Sequence, residues 1–74
     1  MTIVIQNCKS HLYLHRNGEW TEDAAAAANF GSSVAARSYI QAHGLAAAQI
    51  VMCFGDPKYD VVLPISEECR DKAA

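Results

Sequence analysis

The stretch Gln49-Ile50-Val51-Met52-Cys53-Phe54, Gly55-Asp56-Pro57-Lys58, Tyr59-Asp60-Val61-Val62-Leu63-Pro64-Ile65 reads as two apolar strands joined by a turn. Side chains alternate between the two faces of a strand, so Ile50, Met52 and Phe54 share one side and Val51 and Cys53 the other. On the second strand Tyr59, Val61, Leu63 and Ile65 alternate with Asp60, Val62 and Pro64. The turn between them has its own chemistry. Asp56 suits the first position of a type I turn, Pro57 pre-sets the next backbone angle, and Gly55 lets the strand bend into it. A hairpin apolar on both faces belongs in the middle of a sheet.

Upstream of it, residues 2–7 carry Ile3 and Ile5 on one side and Val4 on the other. Residues 11–16 set Leu12 and Leu14 against His11, Tyr13 and His15. These are two further strands, joined by the short polar turn Asn7-Cys8-Lys9-Ser10. Asn17-Gly18 tolerates positive φ at both positions and predicts a tight type I′ hairpin into a brief third strand, Glu19-Trp20-Thr21. Thr21-Glu22-Asp23 ahead of five alanines at 24–28 has the look of a helix start, but Asn29-Phe30-Gly31 stops it within about two turns. That segment is expected to be a short helix or irregular turn held by close packing and by Phe30.

The principal helix is predicted over 34–43. Ser32 and Ser33 offer caps, and Ala36, Tyr39, Ile40 and His43 recur at the spacing of one helical face. Gly44 suits the left-handed residue just past its end, with Leu45 placed to fold back onto the last turn. Residues 46–48 lead into the hairpin, and 66–74 hold so little apolar area that they read as a polar tail or one helical turn. The prediction is one α+β domain over 1–65, with a mainly antiparallel sheet of four or five strands and one principal helix on one face. Strand order is open, because the 21–48 connection is long enough to make one parallel pair.

At 74 residues and a formal charge of −2, the chain is one small domain with no general attraction to nucleic acid or anionic lipid. A domain of this size buries only about 60% of the surface of its unfolded chain, so a partner or second copy would help it. Residues 1–6 lack the basic start and long apolar core of a signal peptide, and no run has the length of a membrane span, so the expected address is cytoplasmic with no membrane association. Cys8, Cys53 and Cys69 are odd in number and widely spaced, which predicts reduced thiols rather than a disulfide framework or a zinc knuckle.

Five patterns bear on chemistry. His11 and His15 with Cys8 upstream suggest a metal site, but residues four apart on a strand lie about 13 Å apart, too far to share one ion. Lys9, His11, Tyr13, His15 and Arg16 form a candidate cationic-aromatic surface on which unpaired bases would stack. The acidic total and only two fixed positive charges favour a plain solvated strand instead. Cys53 between Met52 and Phe54 reads as a small buried hydrophobe, Trp20 as a core plug, and Glu22-Asp23 as ordinary helix-start acids. No nucleophile elbow, zinc-protease, phosphate-loop or dinucleotide motif is present, so no cofactor is expected, and a pocket joining His11 or His43 to a thiol or carboxylate would be needed for catalysis.

The two faces of the sheet then set the functional expectation. One face gathers Ile3, Ile5, Leu12, Leu14, Ile50, Met52, Phe54, Val61 and Leu63, and the 34–43 helix covers it. The other gathers Val4, Tyr13, Val51, Cys53 and Val62, with no second amphipathic helix to cover it. Either the alanine-rich segment lies over that face or another chain does. The expectation is another chain, through a sheet face or an edge strand, in a two-fold homodimer or with another protein.

Leu12-Tyr13-Leu14, Gly18-Glu19-Trp20-Thr21, Ala27-Ala28-Asn29-Phe30 and the helix opening at Ser33 and Ala36 follow one another in a familiar order. Over residues 12–65 the chain resembles a loose group of short uncharacterised bacterial and phage-borne proteins with a Ser-capped helix leading to a final hairpin. The resemblance implies the fold and no activity. The expected role is therefore a non-enzymatic interaction module or homodimeric accessory protein, with nucleic-acid binding or regulation through the 9–16 strand as the alternative.

Overall fold

The computed structural model describes residues 2–55, 57–66 and 69. Five strands, β1 (Thr2–Asn7), β2 (Tyr13–Leu14), β3 (Trp20–Thr21), β4 (Ala48–Cys53) and β5 (Val61–Pro64), form one sheet in the order β3-β2-β1-β4-β5. Every pairing is antiparallel, so the long connection from β3 to β4 makes no parallel pair. That connection carries α1 (Ser33–His43) across one face, giving the α+β architecture with one principal helix. Two apolar strands, β1 and β4, pair along their whole length from Thr2 opposite Cys53 to Asn7 opposite Ala48, and form the centre.

The helix begins and ends where its local chemistry dictates. Ser32 Oγ accepts the Ala35 N–H at 3.1 Å, satisfying one of the donors a helix start leaves free. At the other end Gly44 takes φ 58° and its N–H reaches the Gln41 carbonyl, while the Leu45 N–H reaches Ile40. That pair of bonds is a Schellman motif, and Leu45 packs back onto the core beside Ile40 as the motif requires. Ala36 and Ile40 are buried against Ile3, Ile5, Leu14, Ala48 and Ile50, with Trp20, Phe30, Tyr39 and Leu63 around them. His43 is exposed, and its ring stacks on Tyr39 with centroids 4.1 Å apart.

Three strand and turn expectations are corrected. The second strand shrinks from 11–16 to Tyr13–Leu14 because residues 27–30 take over the edge of β1 beyond it. The Phe30 N–H donates to the Ile3 carbonyl at 2.9 Å, Asn29 Oδ1 accepts the Ile3 N–H at 3.1 Å, and the Ala28 N–H donates to Leu14. The β2–β3 turn is not type I′, because Gly18 alone takes positive φ (91°) and Asn17 does not. The Gly18 N–H bonds the His15 carbonyl and the His15 N–H bonds Glu19, the pattern of a three-residue loop with a glycine bulge. The third concerns the central hairpin, whose turn is longer than four residues. Pro57–Tyr59 form a 3-10 turn, which delays β5 to Val61 and leaves Tyr59 outside the strand. The expected role of Asp56 lies outside the described residues.

The centre of the second face is covered from within the chain by the alanine-rich segment, the other of the two covers that the sequence left open, while Val62 of that face stays exposed. Ala27 is buried against Val4 and Val51, with Tyr13 and Cys53 packed beside them. The alanine run itself makes only one 3-10 turn, Ala24–Ala26, whose start is capped by Asp23 Oδ1 accepting the Ala25 N–H. Small side chains let that backbone approach the sheet closely enough to exclude water, so little helix is needed.

The cysteines are also corrected. Cys8 and Cys69 form a disulfide, with Cα atoms 5.8 Å apart, and Cys53 remains free. The expected polar tail is docked at Ser66 and Cys69. Ser66 Oγ accepts the Ala48 N–H at 3.0 Å and donates to the Leu45 carbonyl, and the Ser66 N–H donates to the Ala48 carbonyl. Residues 67, 68 and 70–74 of that tail lie outside the described residues.

Candidate interaction surface

β5 is the outermost strand on its side of the sheet, and among the described residues no strand pairs with its outer edge. The phase of its ladder decides what that edge offers. The Ile65 N–H donates inward to Ala48 at 3.3 Å, and Ile50 stands opposite Leu63 and Met52 opposite Val61. In an antiparallel ladder, inward-bonded and outward-facing residues alternate, so Val61 and Leu63 bond to β4 while Val62 turns its N–H and carbonyl outward. Pro64 turns out a carbonyl only, having no N–H.

The side chains around this edge are apolar and open. Val61 is 40% exposed, Val62 48%, Phe54 at the end of β4 49%, and Tyr59 in the turn 61%. The opposite edge is different: β3 is two residues long, and its Trp20 packs into the core. Short edge strands resist pairing with other chains, so the two edges are not equivalent.

The residues expected to form a contact surface are divided by the fold. Val4 and Val51, at 3% and 6% exposure, are core, packed against Ala27. Tyr13 and Cys53 are half-buried, and Val62 is open. Burial pushes the Cys53 thiol above its ordinary range, and the negative charge of Asp60 adds to that. The thiol therefore stays protonated and behaves as a small hydrophobe.

The alternative cationic-aromatic surface does not assemble as one platform. Lys9 and His11 stand in the β1–β2 turn and Arg16 in the β2–β3 turn, at opposite ends of β2. Asn7 Oδ1 ties the first turn by accepting the Lys9 and Ser10 N–H groups, and His11 takes φ 64°. Tyr13 packs toward the second-face core, and His15 Nδ1 accepts the Asn17 N–H while its backbone bridges to Ala27. Among the described residues no three His, Cys, Asp or Glu side chains are placed to hold a metal ion, and no helix is long and apolar enough to cross a membrane. Glu22 and Asp23 are exposed, the latter as a cap.

Phe54, Tyr59 and Val61 were expected in or beside the sheet's apolar face and are instead open beside the edge. Pro64 carried the signal that could have shown this, since proline within a strand marks an edge. No family model matches this chain, and no curated protein or solved structure is similar to it.

Proposed function

We propose that the chain is a small non-enzymatic interaction module that acts as a homodimer by pairing β5 with β5 of a second copy. The open, apolar β5 edge is the observation that carries this reading. The edge is also self-complementary. An antiparallel two-fold pairing that sets Val62 opposite itself lets the Val62 N–H and carbonyl bond reciprocally across the axis. Each Asp60 N–H then faces a Pro64 carbonyl, while the Asp60 carbonyl faces the proline nitrogen and gains no donor, so each of these two pairs makes one bond in place of two. Val61 of each copy comes opposite Leu63 of the other on the helix-bearing face, and the two Val62 side chains meet on the opposite face. Such an interface is isologous and closed, and the short β3 edge gives no route to a fibre.

The cationic-aromatic alternative has weaker support, because Lys9 and Arg16 are held at opposite ends of β2. The Cys8–Cys69 bond favours an oxidising compartment over the cytoplasmic address expected from residues 1–6. The dimer reading is tested by sedimentation equilibrium at micromolar concentration on the native chain and on Val62→Pro. The substitution deletes the outward N–H and replaces the side chain at the two-fold axis, while the bonds from Val61 and Leu63 to β4 stay available. The native chain should weigh twice its 8.0 kDa and the variant 8.0 kDa with an unchanged circular dichroism spectrum. A native chain that sediments as a monomer overturns the proposal.

A further inference from the structure

Three segments distant in sequence meet at one end of the sheet: the β1–β2 turn at 7–10, the α1–β4 corner at 45–48, and Ile65, Ser66 and Cys69 beyond β5. The Cys8 N–H donates to the Ala47 carbonyl at 2.8 Å, and Ala47 holds φ 54°, a left-handed conformation uncommon for alanine. The Ala48 carbonyl accepts both the Ile65 and Ser66 N–H groups, and the Cys69 N–H closes a turn onto the Ser66 carbonyl at 3.0 Å. Across this junction lies the Cys8–Cys69 bond, joining residues 61 apart and so enclosing nearly the whole chain in one covalent loop.

We propose that this bond is a redox clasp. Oxidised, it locks the chain end onto the corner and constrains the unfolded chain. Reduced, it releases Ser66 and Cys69 and leaves a domain with a small core to hold itself together. The reductant is a dithiol. Its thiolate attacks one sulfur to form a mixed disulfide, and the other cysteine leaves as a thiolate and takes up a proton. The second thiol of the reductant then closes on the first, giving two cysteine thiols and one oxidised, cyclic dithiol. Cys53 takes no part in the exchange. It stands at the far end of β4 from Ala48, about 16 Å away at roughly 3.3 Å per residue. The clasp therefore opens to an external reductant and does not reshuffle within the chain.

The test uses the full chain with and without excess dithiothreitol, beside the double variant Cys8→Ser, Cys69→Ser and the control Cys53→Ser. Reduction and the double variant should each lower Tm by roughly 10–30 °C. Amide exchange at Ser66 and Cys69 should quicken while Val4, paired in mid-sheet with Val51, keeps its protection. Complete unfolding on reduction, with Val4 losing its protection as well, would make the bond a global staple and overturns the local clasp. Cys53→Ser should keep the oxidised Tm and the full response to reductant. A Tm that moves by less than about 3 °C with unchanged exchange at Ser66 overturns the proposal. So does alkylation of all three cysteines in the air-oxidised chain.

Discussion

Asn29 shows how much one exposed side chain can decide. Its Oδ1 accepts the N–H of Ile3, a buried residue of β1, and also the N–H of Gly31, so it closes the edge that β2 leaves unpaired. Asn29→Ala strands the Ile3 donor, and urea unfolding should show a loss of about 1–3 kcal/mol. Ser32→Ala, which removes only a helix cap, should cost about 1 kcal/mol. Cys53 makes a second prediction. Its folded-state thiol value is raised, first by burial and then by Asp60, so folding favours the protonated form. Below the ordinary thiol range that preference adds no pH dependence. Above it the unfolded chain ionises first, and stability falls as pH rises toward the folded value. Thermal unfolding across the alkaline range should therefore show a shallower decline for Cys53→Ser than for the native chain. At this scale the sequence was legible where partners are near neighbours: Ser32, Gly44 and Leu45 do what their positions imply. It was not legible where they are far apart, as with Asn29 and Ile3, or Cys8 and Cys69.

At the scale of elements, α1 and the central strands follow from periodicity, because the apolar stripe of one and the alternation of the others are each local. What periodicity could not show is competition for the same edge. Residues 11–16 have a clean strand pattern, yet 27–30 take part of their place along β1. The alanine-rich segment was underestimated for a related reason. Its value lies in how closely its backbone approaches Val4 and Val51, and side-chain area does not measure that. Enlarging the residue that makes the approach should push the segment off the sheet. Ala27→Leu is expected to destabilise by about 1–3 kcal/mol, whereas Ala25→Leu, on an exposed position of the same run, should change chemical-denaturation midpoints little.

At the scale of the molecule, a sheet apolar on both faces needs two covers, and this chain supplies both: α1 on one face and Ala27 on the other. The apolar side chains left open beside the sheet cluster along β5, an edge that Pro64 signals in the sequence but whose place in the strand order it does not fix. Loop closure by Cys8–Cys69 is worth about 4 kcal/mol in the chain-entropy account, comparable with the whole stability expected of so small a domain. Covalent closure acts within the chain, and the proposed edge pairing would be a separate support between copies. The outward amide of Val62 reports on the second directly. Hydrogen exchange at that amide, followed from dilute to concentrated protein, should pass from the rate of an open strand to strong protection as copies pair. Exchange at the open-strand rate at every concentration would contradict pairing through β5.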